Sequence, residues 1–313
     1  MSEPLQINKF KINAGEKAAL KIPVGELPSG VDICLRAFVY RAKEAGETML
    51  VMAGVHGDEI NGVETVRRTI HQKLFDNLKR GTVIVVPLLN IFGFLNFSRA
   101  VPDGKDVNRS FPGSKKGSLA ARVAYVLSNE ILPHVDFGVD FHTGGSSRYN
   151  YPQIRYTKED QTAAELANIF AAPFTIASST IKGSLRRTAA DRNVPMLVFE
   201  GGESTRLDQL SIDSGLIGIQ RILAHKGMIT NTVSPSKSIF IQKKSWIRAP
   251  HAGMFRWLKN SGEAVTKGET IGVINDPYGQ EEIKIQCDKN GYIIGHNNAP
   301  VVSLGDALFH IGR

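Results

Sequence analysis

The stretch TMLVMAGVHGDEINGVETVRRTIHQKL (48–74) changes its hydrophobic period in the middle, and that change decides the fold class. Residues 48–56 form a near-continuous apolar run, as a strand covered on both faces would. From residue 59 onward, Ile60, Val63, Val66, Ile70 and Leu74 recur at helical spacing. A buried strand that runs straight into an amphipathic helix is the building unit of α/β folds with parallel sheets.

The same unit recurs along the chain. GTVIVVPLLN (81–90) reads as a second buried strand, and a long loop follows it. Ser118 can cap a helix reaching about Ile131, and FGVDFH (137–142) is a third strand. Helical patterns near 162–170 and 184–193 precede the strand MLVFE (196–200), and a last helix covers about 207–226. The expectation is an α/β fold, a mostly parallel mixed sheet with helices on both faces. Short antiparallel strands before residue 48 are expected at its edge. The SSRYNYPQIRY stretch from 146 offers no pattern and is expected to form loops lining the site.

After about residue 232 no helix is convincing. SIFIQKKSWIRAP, GMFRWLK, AVTKGETIGVI, EEIKIQC, GYIIGH and ALFHIG read as short strands, separated by turn dipeptides such as Ser261-Gly262, Lys267-Gly268 and Asn290-Gly291. The chain is therefore expected to divide into an α/β domain, 1–232, and a compact all-β domain, 233–313.

Composition excludes several classes. With 313 residues, 42% hydrophobic and 22% charged, the chain can bury a substantial core. Two cysteines, Cys34 and Cys287, imply no disulfide framework. The opening residues lack a secretory h-region, and no apolar run reaches membrane-spanning length. A cytoplasmic protein without membrane contact is expected. The net charge of +8 comes from scattered pairs at 79–80, 115–116, 186–187 and 243–244 rather than from one arm, which speaks against nucleic acid. Some of that charge could instead attract a small anionic substrate.

In open α/β sheets, ligands bind beyond the carboxyl ends of the strands. There the first strand delivers His56-Gly57-Asp58-Glu59, the third Asp140-Phe141-His142-Thr143-Gly144-Gly145, and a later one Glu200-Gly201-Gly202-Glu203. His56 and Glu59 straddle a glycine turn and can meet one ion, with His142 arriving from another strand. Two histidines and one carboxylate with an open fourth position form the pattern of hydrolytic zinc sites. Asp58 and Asp140 are candidates to orient a ligating imidazole. Glu200 closes an apolar strand, where a carboxylate is costly unless it has a task, and is the expected general base; Glu203 is its rival. On the 97–113 loop, Asn108 and Arg109 could clamp a substrate carboxylate.

At these residues the sequence resembles the succinylglutamate desuccinylase/aspartoacylase family, relatives of the zinc carboxypeptidases. GVHGDE, DVNRSF, DFHTGG and VFEGG follow one another in the family's order. The resemblance implies that His56, Glu59 and His142 hold one zinc ion, that Asn108 and Arg109 bind the substrate's carboxylate, and that Glu200 is catalytic. It further implies a role for Arg99, taken here as a stabiliser of the oxyanion, and for one of Arg186 and Arg187, both carried forward as substrate contacts. The carboxy-terminal segment resembles a biotinyl/lipoyl barrel-sandwich. Its hairpin turn NDPYGQEE lacks the modifiable lysine of a carrier, so no covalent modification is expected.

The reaction these residues imply is zinc-dependent hydrolysis of a small N-acyl amino acid, with acetyl-diaminobutyrate one possible substrate. The alternatives are a metallocarboxypeptidase acting on peptides and a non-enzymatic protein with a structural zinc. A carboxylate-bearing small molecule is the expected partner, and a homo-oligomer is compatible with the sequence.

Overall fold

The computed structural model describes residues 3–26, 30–230, 233–234 and 236–313. A hairpin of β1 (Leu5–Ile7) and β2 (Phe10–Ile12) precedes a long antiparallel pair, β3 (Lys17–Glu26) and β4 (Asp32–Arg41). Next come β5 (Glu44–Ala53), α1 (Ile60–His71) and β6 (Arg80–Val86). The short α2 (Ile91–Leu95) opens the long loop, which ends at α3 (Leu119–Val126). Ser118 caps α3 through the backbone N–H of Ala121, and a π turn carries the chain on to Ile131. Then follow β7 (Phe137–Gly144), β8 (Arg148–Thr157), α4 (Gln161–Phe170), β9 (Phe174–Ser178), α5 (Leu185–Ala190), β10 (Met196–Glu203) and α6 (Gln209–His225).

The sheet's centre is parallel, in the order β6-β5-β7-β10. Its flanks are antiparallel, with β4 and β3 on one side and β8 on the other, so the sheet is mixed rather than mostly parallel throughout. Strand residues alternate between two cores as the pleat requires. Leu50, Met52, Ile84 and Val86 pack with α3 and α5, whereas Met49, Val51, Val83 and Val85 pack with α1, α4 and α6. Helices therefore cover both faces. The edge strands β3 and β4 are ten residues each, longer than the short strands expected there.

The largest departure from the sequence reading is β8. The supposed loop is a ten-residue strand hydrogen-bonded to β10. Its three tyrosines set among five polar residues, with Pro152 in the middle, hid the alternation that a strand signal needs. A register shift between the rungs at Glu200 and Gly202 brings Asn150 as well as Arg155 toward β10's end.

The remaining strands are β11 (Ile239–Ile241), β12 (Lys244–Arg248), β13 (Gly253–Trp257), β14 (Ala264–Val265), β15 (Thr270–Asn275), β16 (Glu282–Gln286), β17 (Gly291–Asn297), β18 (Val301–Val302) and β19 (Ala307–Gly312). Four of them form a separate sheet, β16-β15-β13-β18, packed over a cluster that includes Phe255, Ile271, Ile293, Leu308 and Phe309. The others extend the large sheet, because β17 pairs with β8 and β19 and β12 follow outward. The boundary expected at 232/233 lies partly outside the described residues. The turn between β15 and β16 carries no lysine, and Lys284 sits within β16 opposite Val273. Among the described residues no helix is long and apolar enough to cross a membrane.

Candidate active site

His56 lies three residues beyond β5, on a turn made tight by Gly57. A Cβ at Gly57 would stand 1.9 Å from the carbonyl carbon of Gly93, so only glycine lets the α2 backbone pass there. Glu59 occupies the N-cap of α1 but makes no capping bond with its side chain. Its carboxylate turns to the two imidazoles instead, with Oε1 2.8 Å from His56 Nδ1 and Oε2 2.9 Å from His142 Nδ1. The two Nδ1 atoms are 3.2 Å apart. All three residues are buried, and their ligand atoms lie within 4.8 Å of one another.

The second nitrogens of both rings are held by carboxylates. His142 Nε2 lies 2.8 Å from Asp140 Oδ2. For His56 the partner is Asp106, with Nε2 3.2 Å from Oδ1, and not its near neighbour Asp58. Asp106 also accepts the backbone N–H of Asn108 and two bonds from Arg99. One carboxylate thus fixes an imidazole, an arginine and the start of the Asn108-Arg109 turn. Its only sequence signal was its place before that pair in DVNRSF.

This donor set fits a metal ion. Two Nδ1 atoms and a carboxylate face one another, and each imidazole has its other nitrogen tied down, so the lone pairs share one focus. A tetrahedral ion with bonds of about 2.0–2.1 Å needs ligand separations of about 3.3 Å, a few tenths wider than those here. Burial alone would depress the pKa of His142. The carboxylates of Asp140 and Glu59 more than offset this and hold it well above the ordinary imidazole range. Burial likewise opposes the charge on Glu59, but the two imidazoles drive its pKa far down.

Glu200 pairs in register with His142 on the adjacent parallel strand, so both project from the same side of the sheet. Its Oε1 lies 3.0 Å from Arg155 Nη1, and its Oε2 accepts from the Asn150 amide at 2.8 Å. Immediately beyond, Gly202 has φ +78°, and a Cβ there would press on Asn61 Nδ2 at 2.2 Å. Glu203 is not among the residues lining the cavity and accepts from Asn298 at 2.6 Å, which ties it to the carboxy-terminal segment.

A cavity of about 680 Å³ opens onto this cluster. Arg99 reaches it with Nη1 3.1 Å from Glu59 Oε1. Asn108 Oδ1 accepts from the backbone N–H of Leu185, which fixes the amide at the cavity wall, while Arg109 lines the cavity from a solvent-exposed position. Of the two adjacent arginines on α5, Arg186 lines the cavity. Arg187, one helical position on, is exposed, is not among the residues lining the cavity and pairs with Asp191 at 2.8 Å. Burial, then Arg155, lower the pKa of Arg186 to about 10. The sequence reading missed Asn150 and Arg155 on β8, and Lys244, Trp246 and His310 from the last segment, all of which line the same space.

The model of the succinylglutamate desuccinylase/aspartoacylase catalytic domain matches residues 45–226, more than half of the chain. The chain belongs to this family. An N-alpha-acetyl-L-2,4-diaminobutyric acid deacetylase from Halomonas elongata is 25% identical over 320 residues, covering 96% of this chain and 92% of the relative. The product-bound ectoine utilization protein EutE (DoeB) of Ruegeria pomeroyi superposes with TM-score 0.85 at 20% identity, covering 99% of this chain and 98% of that one. A succinylglutamate desuccinylase/aspartoacylase from Rhodobacter sphaeroides gives 0.83 at 25% identity over 95% of each chain. The family's catalytic region thus spans all four motifs, and the full-length matches extend through the carboxy-terminal strands.

Proposed function

We propose that this protein is a zinc-dependent hydrolase that removes the acyl group from a small N-acyl amino acid. The observation that carries this reading is the focus of His56, Glu59 and His142 on one point, with Glu200 in register beside His142 at the wall of a cation-lined cavity. Family membership supports amide-bond hydrolysis. The acetyl-diaminobutyric acid named for the Halomonas relative is the reference substrate.

His56, Glu59 and His142 would hold the zinc. When bound, zinc supplies Lewis-acid polarisation of the amide carbonyl and makes the attacking water more acidic. Glu200 takes the water's proton and returns it to the departing amine. Arg155 and Asn150 hold that carboxylate in one orientation through both of its oxygens. Arg99 still has N–H groups to offer the oxygen on which negative charge develops. Asn108, Arg109 and Arg186 hold the substrate's carboxylate and so align the scissile bond. Strands β12 and β19 wall one side of the cavity, which favours a small substrate over an extended peptide. We assign residues 233–313 as a second unit on the strength of its own hydrophobic cluster.

Glu200→Gln tests the reading. It should retain zinc and melting temperature while lowering kcat by roughly a hundredfold or more, the usual loss of a general base. Wild-type kcat on the best N-acyl amino acid would remove Glu200 from the chemistry.

A further inference from the structure

We propose that Asn298, just past the end of β17, is a positioning residue for the general base: its grip on the Glu203 carboxylate fixes the end of β10 and with it the placement of Glu200. This rests on the deacylase reading and goes beyond it, since neither Asn298 nor Glu203 lines the cavity.

The chain just past Glu200 is weakly constrained by its own sheet. Rungs join Glu200 to His142 on β7 and to Gln153 on β8, but both registers shift immediately afterwards, where Gly201 and Gly202 follow. Two glycines at a broken ladder leave a backbone freedom that a catalytic carboxylate must be denied. The restraint comes from outside the ladder. From α1, the Asn61 amide reaches the carbonyls of Gly201 and Glu203 with long contacts of 3.3 and 3.5 Å. The next residue, Ser204, donates to the carbonyls of Gly144 and Ser146 at 2.9 and 2.8 Å. The shortest of these bonds is the one from Asn298 Nδ2 to Glu203 Oε2, at 2.6 Å. Glu203 is buried, and the nearest cation, Arg206 Nε, stands 3.8 Å off on an exposed side chain. Among the described residues Asn298 is therefore the close partner of this carboxylate.

Asn298 is preset for this contact. Its backbone N–H donates to the Ser147 carbonyl at 2.7 Å, on the turn before β8. Its Oδ1 accepts from Trp257 Nε1 at 2.8 Å, and because an indole N–H only donates, this leaves Nδ2 facing Glu203. His296 Nε2 lies 3.1 Å from the same oxygen, and its Nδ1 lies 2.6 Å from Ser261 Oγ. Burial lowers the pKa of His296 to about 4, so the ring is neutral. Its one proton then serves Asn298, and the Ser261 hydroxyl donates to Nδ1. The ring packs against Tyr149, with centroids 5.3 Å apart, and against Trp257 at 4.9 Å. Tyr149 donates to Asp208 Oδ2 at 3.2 Å, the N-cap of α6, so the chain leaving β10 is tied to this cluster at 203 and again at 208. In addition, β17 pairs with β8 at Asn150, the residue that donates to Glu200 Oε2. The cluster reaches Glu200 by two routes, along β10 through Glu203 and across β8 through Asn150.

Steady-state kinetics, zinc content and amide hydrogen exchange on the zinc-loaded protein test the proposal. Asn298 is exposed, so Asn298→Ala leaves no hole in the core and should keep zinc and melting temperature. Its kcat should fall about tenfold with KM within about twofold, and the amides of 199–204 should exchange faster. Asn298→Asp sets two carboxylates against each other and should lose at least as much above neutrality. Adding Glu203→Gln to Asn298→Asp reverses donor and acceptor while leaving an oxygen for Trp257 and His296. This double variant should return kcat to within about threefold of the parent and restore slow exchange. The proposal is overturned if Asn298→Ala keeps the parent's kcat or its exchange at 199–204, if the loss falls in KM alone, or if the double variant recovers nothing over Asn298→Asp. It is also overturned if Glu203→Gln alone abolishes a turnover that Glu200→Gln retains, because Glu203 is then the base. Should the parent hydrolyse no N-acyl amino acid, the deacylase reading fails and exchange alone decides: faster exchange in Asn298→Ala that the double variant reverses upholds the grip on β10, and unchanged exchange overturns it.

Discussion

Replacing Asp140 by asparagine should weaken zinc binding by about 10–100-fold without unfolding the protein, a loss of about 1.4–2.7 kcal/mol. The estimate follows from the contact. Asp140 Oδ2 meets His142 Nε2 at 2.8 Å, and both residues are buried. This bond keeps the ring proton on Nε2 and leaves the Nδ1 lone pair facing Glu59 and His56. Asparagine has nearly the same shape but carries no charge. If its oxygen keeps the contact, its NH2 falls where Oδ1 has no partner among the described residues, a buried donor left unsatisfied. If it flips, its NH2 faces Nε2 and drives the ring proton to the metal-facing nitrogen. Either outcome makes His142 a poorer ligand. The assay is competition for zinc with a chromophoric chelator, alongside a thermal melt. The reasoning is refuted if Asp140→Asn holds zinc as tightly as the parent while His142→Ala releases it.

Arg186→Ala should lower kcat/KM by about a hundredfold, as loss of a charged partner inside the site does. Arg187→Ala removes only an exposed pair one turn of helix apart and should stay within about twofold, which steady-state kinetics on both variants decides.

The strand-to-helix unit at 48–74 and its repeats were legible because burial on both faces demands unbroken apolar runs, and such runs survive in a single sequence. For the same reason His56, Glu59, His142 and Glu200 could be singled out as candidates that would lie together: each stands at or just past the carboxyl end of a run that could be located, where a parallel sheet gathers its strand ends. What the tertiary structure alone decided is how distant polar groups meet. Asp106 reaches His56 across fifty positions, and Asn150 and Arg155 reach Glu200 from a strand with no readable period. The choice of Arg186 over Arg187 depended on the phase of α5, which spans only six residues and gives too little periodicity to fix a face. Lys244 and His310 come from the opposite end of the chain, carried to the cavity because β17 pairs with β8. Local sequence records which surface is buried; it does not record which strand edge a remote segment will satisfy, since backbone pairing is blind to side-chain identity and is settled only when the whole sheet closes its hydrogen bonds.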